Sequence, residues 1–452
     1  MSVEDDIPFA DYVLDDYEIP NSYPKKQRPI KPIKKILISL ALLLVIGYAV
    51  TVSLSFILVD VKKSEENDKK DLPNNKTNHD NRTYYYHNIT AVYSCPGDYK
   101  NCSFYSPFLY NFTSSISSIS VNGTNVSVTN YHQFEESDIK IVTIVFNEKI
   151  KNMTGFFYLS YNLLSVDFSN FDSSEMIDMR LMFFNCRSLK SITWGPHFST
   201  SKVVSMYRLF RYCDSLTSID LSIFDTSNVI SFEAMFAKTK KIQKLDLGNF
   251  KTSSAVNFDG MFFECNSLTS LDLSKFDTSK AKSMNYMFAN CISLKSINLN
   301  NFDTRNVISM KNMFQYCSSL ESLDLSNFNT SSLEDANNIF YRCSNLVSIK
   351  QNFTSTKLRN AYGMFCGCYA LEKNDLRGFV GEALTNMKAM FANCRSLTSI
   401  DLRNFAGREV RNYDYTFSSI GDRGYLVYNS SKIKSTILKT LPTEWEKIDV
   451  KT

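Results

Sequence analysis

The sequence predicts an α/β solenoid behind an N-terminal transmembrane helix, with one short parallel strand and one short helix in each coil. Three observations lead there. A motif recurs at nearly constant 26-residue spacing, apolar and polar residues alternate within each copy, and Ile36 to Val59 is a run of 24 residues without a charge. Alternation at period two marks a strand with one buried face, and a fixed long period marks a repeat architecture.

Residues 1–35 come first. Seven acids and no Lys or Arg occupy positions 1–24, with Pro8, Pro20 and Pro24, which reads as a disordered tail. Tyr12, Tyr17 and Tyr23 are candidate phosphorylation or sorting sites, and Tyr17 stands in Asp-Asp-Tyr-Glu-Ile. A solvated tail with no specific role is the plainer alternative. At about 1.5 Å per residue, the run 36–59 is long enough to cross a hydrocarbon core of about 30 Å. It is too long and too far from the start for a cleaved signal peptide. Lys25, Lys26, Arg28, Lys31, Lys34 and Lys35 crowd its near side, which keeps the N-terminus cytosolic and places those cations against anionic headgroups.

Residues 60–83 read as a polar stalk, and 84–140 as a strand-rich cap with candidate glycans. Eight of the 11 Asn between 75 and 152 begin an Asn-x-Ser/Thr sequon (Asn75, Asn81, Asn88, Asn101, Asn111, Asn122, Asn125 and Asn152), against three of 27 further on (Asn329, Asn352 and Asn429). Sequons are glycan acceptors only outside the cytosol, so their distribution agrees with a type II single-pass topology. Alternation in Lys140 to Phe146 marks a strand at the end of the cap.

The solenoid is expected over 141–420. Aligned on Met-Phe-x-x-Cys, the final position falls at Cys186, Cys213, Thr239, Cys265, Cys291, Cys317, Cys343, Cys368 and Cys394, with weaker copies ending at Ser160 and Ile420. The consensus is C-x-S-L-x-S-I-D-L-S-x-F-D-T-S-x-V-x-S-M-x-x-M-F-x-x. Its S-L-x-S-I-D-L-S portion is the strand. Asp277, Thr278 and Ser279 typify a helix cap, and Val307, Met310, Met313 and Phe314 an inward stripe of one or two helical turns. Two Phe columns, Phe157 to Phe417 and Phe171 to Phe405, take 21 of the 34 Phe. One coil cannot bury its apolar face alone, so stability is shared between neighbours, and 421–452 is expected to close the far end as a second cap.

These copies, such as LTSLDLSKFDTSKAKSMNYMFANC from Leu268 to Cys291, resemble the mycoplasma-type leucine-rich repeats of the BspA-like surface protein family. The resemblance covers about 141–420. It implies a horseshoe-like solenoid on a surface protein linked to adhesion or host interaction, and it transfers no catalytic residue. Thr239 in place of Cys, the short copy after Cys343 and the extra residue near Gly195-Pro196-His197 depart from the pattern.

Composition points away from catalysis. The chain has 452 residues, four His, 14 Gly and a formal charge of +4, which argues against a nucleic-acid partner, phosphate loops and a rich supply of general bases. No cofactor and no metal are expected, since Cys at 25–27-residue spacing without His does not match paired-ligand motifs. The column Cys are expected as buried free thiols, because stacked side chains point in parallel. Cys95 and Cys102 are a disulfide candidate in the cap.

Two sets of charges are candidate ligand-binding residues. Asp220, Asp246, Asp272, Asp324, Asp375 and Asp401 form an outward column on the concave strand face. A cation- or amine-binding stripe is one reading; a solvated ladder eased by Ser and Lys neighbours is the other, and single carboxylates fall short of a calcium loop's ligand density. Lys244, Lys350, Lys373, Arg377 and Arg403 replace Ser or Asp there, and the last four, in the C-terminal third of that face, suggest a basic patch for an acidic partner, with drift on an unused surface as the alternative. The expected protein is therefore a non-catalytic surface glycoprotein that binds protein or glycan ligands, at the plasma membrane or with its C-terminal domain in the lumen of an internal membrane. A signalling receptor read through the tyrosine-bearing tail and a structural coat protein are the alternatives.

Overall fold

The computed structural model describes residues 87–94, 112–128, 139–351 and 353–450. The tail, the uncharged run 36–59 and the stalk lie outside them. Among the described residues no helix is long and apolar enough to cross a membrane.

The fold is a mostly-β repeat solenoid of about ten coils. At its N-terminal end, β1 (Asn88–Ser94), β2 (Ile116–Val121), β3 (Thr124–Val126) and β4 (Ile139–Phe146) form antiparallel pairs in the order β3-β2-β4-β1. The β2–β3 hairpin turns on Asn122 and Gly123, both at positive φ, as its right-handed twist requires. β1 also pairs with β5 (Leu163–Asp167), the first strand of the repeats, so the cap sheet runs directly into the stack. β5 then pairs in parallel with β6 (Ser191–Thr193).

Further parallel strands follow at the repeat spacing: β7 (Ser270–Asp272), β8 (Ser296–Asn298), β9 (Ser322–Leu325), β10 (Ser348–Gln351), β11 (Lys373–Asp375) and β12 (Ser399–Asp401). Each sits where alternation places it, with Leu271 and Leu323 inside and the flanking Ser and Asp outside. Between β6 and β7 the coils carrying Asp220 and Asp246 lack regular strand pairing. At the C-terminal end β13 (Gly424–Tyr428) and β14 (Trp445–Asp449) extend the parallel sheet, with the four-residue helix α1 (Ser435–Leu438) between them. The Trp445 ring is buried there and its Nε1 donates to the Gly421 carbonyl at 2.7 Å.

The expected helix in each coil is absent from the described residues; a run of turns replaces it. The backbone explains why. In the coil containing Met284–Cys291, the Met287, Ala289 and Cys291 N–H groups bond three residues back, while those of Tyr286, Phe288 and Asn290 donate to Lys311, Met313 and Gln315 of the next coil at 2.7–2.9 Å. A helix needs every N–H for its own axis. Here alternate N–H groups are lent sideways, and the left-handed conformation of Tyr286 (φ 56) and Asn290 (φ 60) makes that possible. Beside the turns runs a ladder of single parallel bridges from Asn152 to Asn412, one residue per coil.

The interior is built of columns. Eleven Phe rings from Phe157 to Phe417 stack in one file at 5.3–5.9 Å between centroids. That offset stacking suits their quadrupoles. The Phe171-to-Phe405 column is buried as well. A buried Thr column stitches coils together: Thr278 Oγ1 donates to the Asp303 carbonyl at 3.0 Å and accepts the Asp303 N–H at 2.8 Å. Thr226 and Thr252 repeat that pair of bonds. Near the extra residue, Gly195 lies so close to Phe168 and Ser169 that a Cβ would sit 2.5 Å from the Phe168 carbonyl oxygen.

Candidate functional site

The outward strand face carries the Asp column, and each side chain there serves the backbone. Asp220, Asp246, Asp272, Asp324, Asp375 and Asp401 all accept the N–H two residues on, at 2.9–3.2 Å. The acid closes the turn that follows, which is why it recurs at one place in so many of the coils. Such bonds favour the charged form. The Ser222 N–H lowers the Asp220 pKa, the Ser274 N–H lowers that of Asp272, and Ser326 holds Asp324 at about 2.

The basic residues separate into two groups. Arg377 pairs with Asp375 and Arg403 with Asp401, each at 2.5 Å, and Lys350 reaches Asp324 of the preceding coil at 3.2 Å. Three of the four cations expected as a patch are thus matched by acids of the column itself. Lys244 and Lys373 are exposed on the same face. The acidic stripe and the basic patch therefore meet in the C-terminal third as ion pairs.

The nine described Cys are all free and buried. In the column each thiol donates to the carbonyl of a Phe in the preceding coil, as Cys291 does to Phe262 at 3.1 Å. Thr239 Oγ1 makes the same bond to Phe210 at 2.9 Å, so the substitution keeps the donor. Burial raises the pKa of Cys291 and Cys343 to about 12, far from a reactive thiolate. Cys95 and Cys102 lie outside the described residues. Among the described residues no group of three or more His, Cys, Asp or Glu is placed to hold a metal ion.

Of the sequons, Asn122, Asn125 and Asn329 are exposed, while Asn88 and Asn152 are half-buried. Asn429 is 3% exposed, and its side-chain oxygen accepts the Ser431 N–H. Asn75, Asn81, Asn101, Asn111 and Asn352 lie outside the described residues.

A surface that the sequence reading missed lies on the turns. Variable positions of the turns, some just after the stacked Phe and others beside the Cys or the first Met of the repeat, bring aromatic rings and cations together. Arg187 lies 5.9 Å from the Tyr161 ring and 5.8 Å from that of Tyr212. Lys238 lies 4.8 Å from Tyr212 and 5.8 Å from Phe263, and its Nζ donates to the Tyr212 hydroxyl at 2.8 Å. Lys311 lies over Tyr286, and Arg342 stands between Tyr316 and Tyr341. Tyr212, Lys238, Tyr316 and Arg342 hold the same place in their coils, all at positive φ. Part of the signal was available as the x positions of Met-Phe-x-x-Cys, which hold Tyr212, Lys238, Phe263, Tyr316, Tyr341 and Arg342 and which a consensus discards; Tyr161, Arg187, Tyr286 and Lys311 stand at other variable places in the repeat.

The repeats match the family described as Mycoplasma protein of unknown function, DUF285, over residues 126–217, 192–296, 263–379 and 323–423. Together these spans cover about two thirds of the chain. The chain belongs to this family. Its matched spans overlap, as expected where one repeat unit recurs within a longer family model. No curated protein matches the chain.

Proposed function

We propose that this family member is a type II single-pass surface glycoprotein whose solenoid, a BspA-like leucine-rich-repeat array, binds protein or glycan ligands without catalysis, in adhesion or host interaction. The observation that carries the reading is a contrast between columns. The inward Phe, Met, Thr and Cys positions are nearly constant and form a rigid stack, while the outward positions on the turns change from coil to coil and carry rings and cations. A scaffold of that kind presents many side chains over a long surface, as repeat proteins do when they bind macromolecules.

The uncharged run 36–59, its basic near side and the sequon distribution support the topology. Asp-Asp-Tyr-Glu-Ile around Tyr17 favours the receptor alternative, and deleting residues 1–24 separates the two: adhesion survives the deletion and signalling does not. The test of location is an epitope at the C-terminus, stained on intact and on permeabilised cells, with a blot before and after N-glycosidase. Surface signal with a mass shift is the expected result. A shift with signal only after permeabilisation moves the protein to an internal membrane, and neither signal nor shift overturns the topology.

A further inference from the structure

We propose that the chain pairs with a second copy of itself through a row of exposed Ile and Val on the turn side, from Ile177 to Ile308, with the two solenoids antiparallel. This pairing goes beyond the ligand-binding reading and does not depend on it.

The backbone sets the row. The Ile177 N–H donates to the Lys151 carbonyl, and Val204, Ile230, Val256, Lys282, Ile308 and Glu334 each donate to the matching residue one coil earlier, all at 2.8–3.1 Å. Their side chains therefore stand in one line at about 4.8 Å per coil. Ile177, Ile230, Val256 and Ile308 are 36–49% exposed, and Val204 among them is half-buried. Other exposed apolar residues of the coils, such as Ile223, Ile292 and Val347, stand singly, which is ordinary for a protein surface. The backbone does not require an apolar residue here. Arg359, Thr385 and Arg411 continue the ladder with the same bonds at 2.9–3.0 Å, and they are polar. Extended backbone favours β-branched residues, which Thr385 satisfies, so the choice of Ile and Val in the earlier coils points to a partner surface.

Spacing and charge together select a second copy as that partner. A helix repeats its face at about 5.4 Å and a single strand at about 6.6 Å, whereas another stack of coils repeats at about 4.8 Å and stays in step along the whole row. Centred between Ile230 and Val256, an antiparallel pair sets Ile230 against Val256, Ile177 against Ile308 and Lys151 against Glu334, and a two-fold axis makes every such contact twice. Val204 meets Lys282, whose apolar stem covers it while the ammonium reaches water. A parallel pair would set Lys151 on Lys151 and Lys282 on Lys282, which repel. Within one chain Lys151 already lies near Glu175, and Arg359 stands 4.0 Å from Glu334, so the cross pair completes a row of alternating sign. The cations beside the row have acids of their own: Lys202 reaches Glu175 at 2.9 Å, and Lys280 acts on Asp277. On the other flank the small residues Ser205, Ser231, Ser283 and Ser309 let a second surface approach. From 153 to 328 the chain has no sequon. The overlap of eight coils is about 34 Å long and narrow, which places it at the weak end of specific interfaces.

The test is sedimentation of the full-length, N-glycosidase-treated chain in density-matched detergent. A monomer–dimer equilibrium over about 10–100 µM is expected. I230K/V256K should be monomeric throughout; each Lys goes where Lys282 already stands in the same row, so the fold tolerates it, and melting temperatures within a few degrees of the parent check this. Glu334→Lys sets like charges opposite each other at both ends and should weaken the dimer about tenfold, and K151E/E334K should restore it. Thr385→Lys, beyond the overlap, should change nothing. A dimer that survives I230K/V256K is held elsewhere and overturns the proposal. So does failure of K151E/E334K to restore what Glu334→Lys loses. A parent chain that stays monomeric at every concentration leaves the row to a foreign partner and overturns it too. Cell-surface staining and ligand binding are read separately, so failure here leaves both standing.

Discussion

The two long sides of each coil were equally regular in sequence and differ in how their backbones bond. On the strand side, alternating Ser, Leu and Asp give short parallel strands such as β7 and β9, with the expected residues inside. On the turn side, Val, Met, Met and Phe at three-residue steps resemble a helical stripe, yet every second N–H leaves the coil for its neighbour. Apolar periodicity reports which side chains point inward. It does not report where the amides go, and on the turn side that decides the structure.

The comparison breaks first at the stacked rings, which belong to the turn side. Phe288→Ala removes a fully buried ring from the middle of the file and should cost about 3–5 kcal/mol, read by thermal or denaturant unfolding. A loss below about 1 kcal/mol would mean that the stack does not hold the coils together.

A sharper test lies at Asn290. In a helix, glycine there is worse than a β-branched residue, whereas in a left-handed turn the order reverses. Asn290 has φ 60, so Asn290→Val should cost about 1–3 kcal/mol and Asn290→Gly little. Melting temperatures of the pair give the sign directly.

The lateral Thr bonds come next. Thr278→Val keeps the shape and leaves the Asp303 N–H and carbonyl without the hydroxyl, at about 1–3 kcal/mol, while Thr278→Ser should recover most of that. Cys291→Thr copies the arrangement at Thr239 and should change stability by less than about 1.5 kcal/mol.

Acid sensitivity separates the sides more gently. Asp220, Asp272 and Asp324 on the strand side, and Asp225 and Asp277 at the next turn, have lowered pKa values from hydrogen bonds, so they stabilise the fold above the unfolded carboxylate range and lose that contribution as pH falls through about 4 towards 2. Glu233, Asp259 and Asp335 on the turn side are raised by burial, so their protonation favours the folded chain and offsets the loss just above that window. The melting temperature should therefore hold or rise slightly from pH 7 to about 5 and fall below about 4. The smallest effect belongs to R377Q, which removes an exposed, solvent-screened pair and should leave the melting temperature nearly unchanged.

The repeat register, both Phe columns, the strands and the free thiols were legible, because each is a pattern of buried side chains. The Asp column was legible as a position and not as a role: its side chains answer a backbone N–H two residues on, which spacing alone does not reveal. The basic patch was legible as residues and not as pairs, since Arg377 and Arg403 each turn back to an acid two residues earlier. The turns had left a signal. Asn185, Asn290, Asn312, Asn338 and Asn393, with Gly260, Gly363 and Gly367, recur at left-handed positions that a helix would not favour. Tyr212, Lys238 and Tyr286 share such positions, so residue type alone hid the aromatic and cationic surface.

Far-UV circular dichroism of the full-length chain in detergent tests the central difference most directly. Among the described residues of 139–450 the fold places α-helix only in the four residues of α1, so it predicts that the coils add almost no helical signal. A helical signal as large as one helix in each of about ten coils would give would contradict it.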